Sequence, residues 1–214
     1  MSALILHSYW RSSAAYRVRI ALNYKGIDYA QITHDLRTGA QRDGDYLAIA
    51  PHGLIPVIEY GGRRFIESPA LMEWIEARWP TPPLLPPDPD DAAIVRAMAS
   101  LIACDIHPIN NLRVLDSLRR DLAASQEQVQ QWVARWTGRG LAALEVLIAE
   151  HGGRFAFGDT PTFADCFLVP QLYNAERFSV DLTPFPHVVA AGAAARALPA
   201  FSLAHPSVQP DADD

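Results

Sequence analysis

Six of the ten residues 80–89 are proline, and no other feature constrains the fold of this 214-residue chain as tightly. Proline cannot continue a helix, and closely spaced prolines make a stiff, extended connector. Two domains are therefore expected, 1–80 and 91–214, joined by a linker over 81–90. The periodicity changes on crossing the linker. Before it, short apolar runs alternate with helical patterns; after it, nearly every segment carries helical period.

In the first domain, residues 4–7 read as a strand leading into a helix over about 14–25, which Gly26 closes. Residues 28–34 read as a second strand, completing a βαβ unit. Two further runs, 55–60 and 64–66, flank Gly61-Gly62, a two-residue hairpin signal. Ser68-Pro69 then reads as an N-cap with proline at the first helical position, opening a helix that places Leu71, Trp74, Ile75 and Trp79 on one face. The order β-α-β, loop, β-β-α is that of an α/β, thioredoxin-like domain. The second domain reads as an all-α helix bundle. An apolar stripe of Ile94, Met98, Leu101 and Ile102 is interrupted at residues 105–108, and a long helix over about 125–150 ends at Gly152-Gly153. The Pro- and Asp-rich tail from His205 is expected to fray.

Half of the residues are apolar and a fifth are charged, the balance of a globular protein. The net charge of −6 argues against nucleic acid as the main partner, so any positive substrate pocket must be local. Cys104 and Cys166 lie far apart with no CxxC pair, which indicates neither a dithiol centre nor a metal site; both are expected as reduced, buried thiols. The apolar run at residues 3–6 is too short for a signal-peptide core. No uninterrupted apolar stretch approaches the ~18 residues of a membrane span. A cytoplasmic protein is expected.

The chemistry concentrates at three places. Ser12 and Ser13 open the first helix, where free N–H groups and the helix dipole favour negative charge. A lone serine there reads first as a cap. Here a second serine, a preceding Arg11 and a location at the carboxyl edge of the sheet favour an anion or thiolate seat. Pro56, opening a strand in Gly53-Leu54-Ile55-Pro56-Val57, reads as a cis-proline or a rigid turn; the former leaves Ile55 able to pair with a bound extended peptide. Glu67-Ser68-Pro69 suits an amino-acid headgroup, the helix start taking its carboxylate and Glu67 its ammonium. Thr162 and Asp165 form a capping-box pair, which serves folding.

The run Ser-Ser-Ala-Ala-Tyr-Arg-Val-Arg-Ile-Ala-Leu at 12–22 closely resembles the signature of zeta-class glutathione transferases, with Ala14 where that family has cysteine. The capping motif at 162–165 and the segment 104–113, containing His-Pro-Ile-Asn-Asn, resemble the helical domain of the same family. The resemblance covers almost the whole chain. It implies a thioredoxin-like domain followed by an all-α domain, a cytosolic homodimer, and glutathione as a cofactor that is not consumed.

By position, Ser12 matches the serine that hydrogen-bonds the glutathione sulfur, and Ser13 a supporting one. Gln41, Ile55, Glu67 and Ser68 match contacts to the glutathione backbone, and His107, Asn111 and Arg113 match residues of the helical domain. Arg11, Arg113 and Arg177 match arginines that grip the substrate's carboxylates, with Ser12, Arg11 and Arg177 in catalytic roles. Arg37 and Arg119 read as solvated surface charges, and Arg177, near a helix end, can equally serve the dipole. The activity implied is cis–trans isomerisation of maleylacetoacetate to fumarylacetoacetate by thiolate addition, bond rotation and elimination, in tyrosine and phenylalanine breakdown. Maleylpyruvate isomerisation in gentisate breakdown is the near alternative. A non-catalytic glutathione-transferase-like interaction module and a general detoxifying transferase are the alternatives of other kinds. Ala14 lowers the expectation of broader transferase activity.

Overall fold

The computed structural model describes residues 3–213, and within them the chain forms two compact units. One runs as far as Leu84 and takes in the chain again from Leu198; the other is Leu85–Ala197.

The first unit holds a four-stranded sheet in the order β2-β1-β3-β4, made of β1 (Leu4–Ser8), β2 (Tyr29–Thr33), β3 (Val57–Tyr60) and β4 (Arg63–Ile66). β1 pairs parallel with β2 (Leu6 opposite Gln31) and antiparallel with β3 (Leu6 opposite Ile58). The segment after β1 becomes α1 (Ser13–Tyr24), buried on every side over residues 15–22, the charged Arg17 and Arg19 included. It ends as the sequence predicts, with Gly26 at φ +65°. Ile27 N–H bonds Leu22 O and Gly26 N–H bonds Asn23 O, which satisfy two of the last helical carbonyls. Gly61 and Gly62 both have positive φ and join Tyr60 to its partner Arg63, the twist a two-residue hairpin requires. Residues 34–54, read only as a loop, contain a 3-10 turn (Ala40–Arg42) and the short α2 (Gly44–Leu47). α3 (Ser68–Arg78) packs on α1 and buries Leu71, Met72 and Ile75.

The proline-rich linker is anchored rather than free. Lys25, whose side chain is fully buried, lies 2.6 Å from the Glu76 carboxylate and donates to Pro82 O at 2.8 Å, while Glu76 accepts the Leu84 N–H at 3.0 Å.

The tail corrects the sequence expectation twice over. From Leu198 the chain joins the first unit instead of closing the helical domain, through α9 (Pro199–Ser202), which packs on α1, and a 3-10 turn (Pro206–Val208). It is not frayed at His205 either. Phe201, Ala204, Pro206 and Gln209 are buried, and Gln209 ties the turn down through Leu203 O and His205 O. Sparse apolar residues at irregular spacing carry no period, so the anchoring was invisible to periodicity.

The second unit consists of α4 (Pro89–Ser100), a π-helical turn (Leu101–Ile106), a 3-10 turn (Pro108–Asn110), α5 (Leu112–Arg120), α6 (Gln126–His151), α7 (Phe163–Arg177) and α8 (Pro186–Arg196). α7 is the central helix, buried almost throughout and packed on α4 and α8. Its start is held by Asp165, whose carboxylate accepts the N–H groups of Thr162 (2.8 Å) and Ala156 (2.9 Å). Cys166 is buried as expected; Cys104 is exposed, because the π turn rotates it off the buried stripe of Met98, Ile102 and Ile106. Within Pro89–Arg120 one 18-residue window reaches the length and apolarity of a membrane span, with a mean hydropathy of 1.4, although it is not an uninterrupted apolar run. Val95, Met98, Ile102 and Ile106 are buried inside the unit, a third of the window in all, and two irregular turns break the stretch.

Candidate active site

In the first unit the sequence-selected residues converge on the loop between β1 and α1. Ser12 is the N-cap of α1, half-buried at φ −68°, with its Oγ accepting the Ala15 N–H at 3.2 Å and its N–H donating to Tyr9 O at 3.0 Å. Accepting leaves the hydroxyl proton available to donate, beside helix-start N–H groups that have no partner within the helix. Ser13 is buried as the first residue of α1. Arg11 is braced: its Nη2 donates to the Tyr9 hydroxyl at 3.2 Å, and the guanidinium lies 4.8 Å from the Trp10 ring centre.

One apolar cluster joins this loop to the strand-opening proline. Tyr9 and Ala15 pack with Tyr46, Ala50, Ile55 and Val57. The Ile55–Pro56 peptide is cis. Pro56 has no N–H, and the sheet ladder begins only at Val57, which leaves the main chain of Ile55 outside it. Tyr46 donates from its hydroxyl to Leu54 O at 2.7 Å, and burial raises its pKa well above the ordinary phenol value. Gly53, at φ +63°, brings its backbone close enough to Gln41 that a Cβ would stand 3.2 Å from Gln41 O. Gln41 itself is 7% exposed, and its Oε1 is buried with no hydrogen-bond partner.

The start of α3 lies one residue earlier than the sequence suggested, where Ser68 was the N-cap and Pro69 the first helical residue. Glu67 occupies the N-cap of α3 at φ +68°, and Ser68 is the first helical residue. The Ser68 hydroxyl does not cap: it accepts from buried Arg17 Nη1 at 3.2 Å. The Glu67 carboxylate is exposed, with His52 Nε2 3.8 Å away.

In the second unit, Asn111 is the N-cap of α5 and accepts the Arg113 N–H at 3.3 Å; the Arg113 side chain is exposed. His107 ends the π turn, and its neighbour Asn110, which was not singled out, is buried and donates to Ile106 O and Thr137 Oγ1. Arg177 closes α7, exposed, 5.5 Å from the Phe178 ring centre. Arg37 is held between Asp35 and Asp213 and Arg119 lies 3.8 Å from Asp116, both surface charges as read.

Sequence reasoning gave no separate place to the side chains of Arg17, Arg19, Tyr46 and His52. Two arginines embedded two residues apart in the apolar run 16–22 were the available signal, since a charge on a buried helix face must have work to do there.

Known proteins with this arrangement are close at hand. The glutathione S-transferase N-terminal domain family matches residues 11–78, and its C-terminal domain family matches residues 130–201. Maleylacetoacetate isomerase of Pseudomonas aeruginosa is 47% identical over 209 residues, 96% of this chain and 97% of that protein. The structure of maleyl pyruvate isomerase, a bacterial glutathione S-transferase in the zeta class, superposes with a TM-score of 0.96 at 44% identity, covering 98% of this chain and 100% of that one. Maleylacetoacetate isomerase from Anaeromyxobacter dehalogenans 2CP-1, with dicarboxyethyl glutathione and citrate in its active site, gives 0.90 at 42% identity over 100% of this chain and 99% of that one. The chain therefore belongs to the glutathione S-transferase family. Within that family it stands in the zeta class, beside the maleylacetoacetate and maleylpyruvate isomerases.

Proposed function

We propose that this protein is a glutathione-dependent cis–trans isomerase of an enedione acid, with maleylacetoacetate the leading substrate. The observation that carries the reading is the Ser12 hydroxyl, half-buried at the start of α1 with its proton available to donate. The buried, unpartnered Oε1 of Gln41 fits a donor of the tripeptide, and the free main chain of Ile55 fits pairing with its cysteinyl backbone. Glutathione, when bound, supplies a thiolate that adds reversibly to an alkene carbon, so that the bond can rotate before the thiolate leaves.

This chain's residues then divide the work. Ser12 donates to the sulfur and, with the α1 N-terminus, lowers a thiol pKa that is ordinarily about 8.5. Ser13 supports that turn. Gln41, Ile55, Glu67 and Ser68 hold the peptide, Glu67 facing the ammonium and the α3 start the carboxylate. Arg11, held against Tyr9 and Trp10, offers positive charge for a substrate carboxylate and for the charge that develops on the carbonyl oxygen. The roles of His107, Asn111 and Arg113 toward glutathione, and of Arg113 and Arg177 toward carboxylates, are proposals resting on the family resemblance. Dicarboxyethyl glutathione in the Anaeromyxobacter relative supports a ligand pairing glutathione with two carboxylates.

A place in tyrosine and phenylalanine breakdown, a cytoplasmic location and a homodimer belong to the same proposal. Maleylpyruvate is the second reading, favoured by the TM-score of 0.96 with the maleyl pyruvate isomerase structure. Measuring kcat/KM for both substrates with glutathione present decides between them. At least tenfold preference for maleylacetoacetate supports the leading reading; the reverse preference replaces it.

A further inference from the structure

We propose that the C-terminal segment 198–213 positions the Ser12 hydroxyl, with Arg19 and Asp211 as the positioning residues. The proposal rests on the reading of Ser12 as the donor to the glutathione sulfur. Ser12 is presented by the loop Tyr9-Trp10-Arg11, and each main-chain anchor of that loop leads back to the tail. Tyr9 O accepts the Ser12 N–H at 3.0 Å and also Arg19 Nη1 at 3.4 Å. Trp10 O accepts Arg19 Nη2 at 3.0 Å. The Trp10 N–H donates to Asp211 Oδ2 at 3.0 Å. Arg19, with no exposed surface, uses its Nε on Ala204 O at 3.1 Å and its Nη1 on Ser8 Oγ at 3.0 Å.

A guanidinium is a rigid planar fork, so a carbonyl of the tail and two carbonyls of the loop are held in one fixed geometry. Loop and tail therefore move together. Three further contacts keep the tail in register: Asn23 Nδ2 to Ala200 O (3.2 Å), Gln31 Nε2 to Gln209 Oε1 (3.0 Å) and the Arg37–Asp213 pair. A merely anchored terminus needs none of its bonds on residues 9 and 10. Here one tail bond falls directly on Trp10, and Arg19 links the tail carbonyl of Ala204 to the carbonyls of both Tyr9 and Trp10, the two residues that precede Arg11 and Ser12.

The test compares Asp211→Ala, which removes the acceptor, with Asp211→Asn, which keeps a carbonyl for the Trp10 N–H. The thiol of bound glutathione is titrated by its ultraviolet thiolate absorbance in the binary complex, alongside thermal unfolding and steady-state kinetics. In Asp211→Ala the thiol titration is expected to rise by about 0.5–1 pH unit. The kcat falls about three- to tenfold, with KM for glutathione within about twofold, because the peptide-holding residues lie elsewhere. Asp211→Asn stays within about twofold of wild type in both. An unchanged thiol titration in Asp211→Ala overturns the proposal. So does a loss in Asp211→Asn equal to that in Asp211→Ala, or one that only tracks unfolded protein. The titration needs no turnover, so failure of the isomerase reading would show separately, as a wild type that binds glutathione without isomerising substrate.

Discussion

Arg17, buried in α1, donates through Nη1 to the Ser68 hydroxyl at 3.2 Å, so the helix that presents Ser12 and the helix that opens at Glu67 share one buried hydrogen bond. The two ends of the proposed glutathione site are thereby fixed to each other from beneath. Removing the charged donor strands a buried hydroxyl, a loss of about 1.5–3 kcal/mol. Arg17→Met should lower the unfolding free energy from urea titration by that amount, with the slope unchanged. It should also raise KM for glutathione more than it lowers kcat.

Glu67 stands at φ +68°, where a Cβ is unfavourable and glycine is not. Holding a non-glycine residue there costs about 1 kcal/mol. Glu67→Gly and Glu67→Ala both remove the carboxylate and should raise KM for glutathione alike. Thermal unfolding should separate them, with the glycine variant about 1 kcal/mol more stable than the alanine variant.

Gly140 on α6 faces the π turn so closely that a Cβ would sit 2.2 Å from Ile106 Cγ1. Gly140→Ala overpacks this contact and should cost about 1–3 kcal/mol. The cost should shrink by at least half in an Ile106→Ala background, where the opposing atoms are gone. A double-mutant cycle from denaturant unfolding measures the coupling.

The burial of Asp165 sets the sign of a pH dependence. Burial raises its carboxyl to about 6 from an ordinary 3.8, outweighing the lowering by its bonds from Ala156 and Thr162. Between those values the folded chain binds more protons than the unfolded one, so this stability is present below about 3.8 and is lost as pH rises through about 6. The stability of wild type relative to Asp165→Asn should fall by as much as about 3 kcal/mol over that interval and stay level above it. Urea titrations of both proteins at stepped pH read this directly.

Much of the fold was legible because its signals are local. Gly61-Gly62, Gly26 and the Thr162/Asp165 pair each dictate a turn or a cap from neighbouring residues alone, and each does so in the structure. The Ile55–Pro56 peptide is cis, one of the two readings its local sequence left open, and only the thioredoxin-like order of elements favoured it. What stayed hidden depends on partners far along the chain. The tail from Leu198 gains its order from Arg19, Asn23, Gln31 and Trp10, about 170–200 residues away, and no period announces such bonds. Ser68 looked like a cap because Ser-Pro opens helices locally; its actual partner, Arg17, lies 51 residues upstream. Residues proposed to touch a ligand could be matched to a family motif, whereas those that support them from behind could not.

The central claim is that Ser12 activates a glutathione thiol for reversible addition to the substrate. It is tested most directly by cis–trans isomerisation of maleylacetoacetate with and without glutathione, in wild type and in Ser12→Ala. The account predicts turnover that requires glutathione and a loss of about 10²–10³ in kcat for Ser12→Ala, the size of removing one preorganised donor. Turnover without glutathione, or a Ser12→Ala enzyme as fast as wild type, would contradict it.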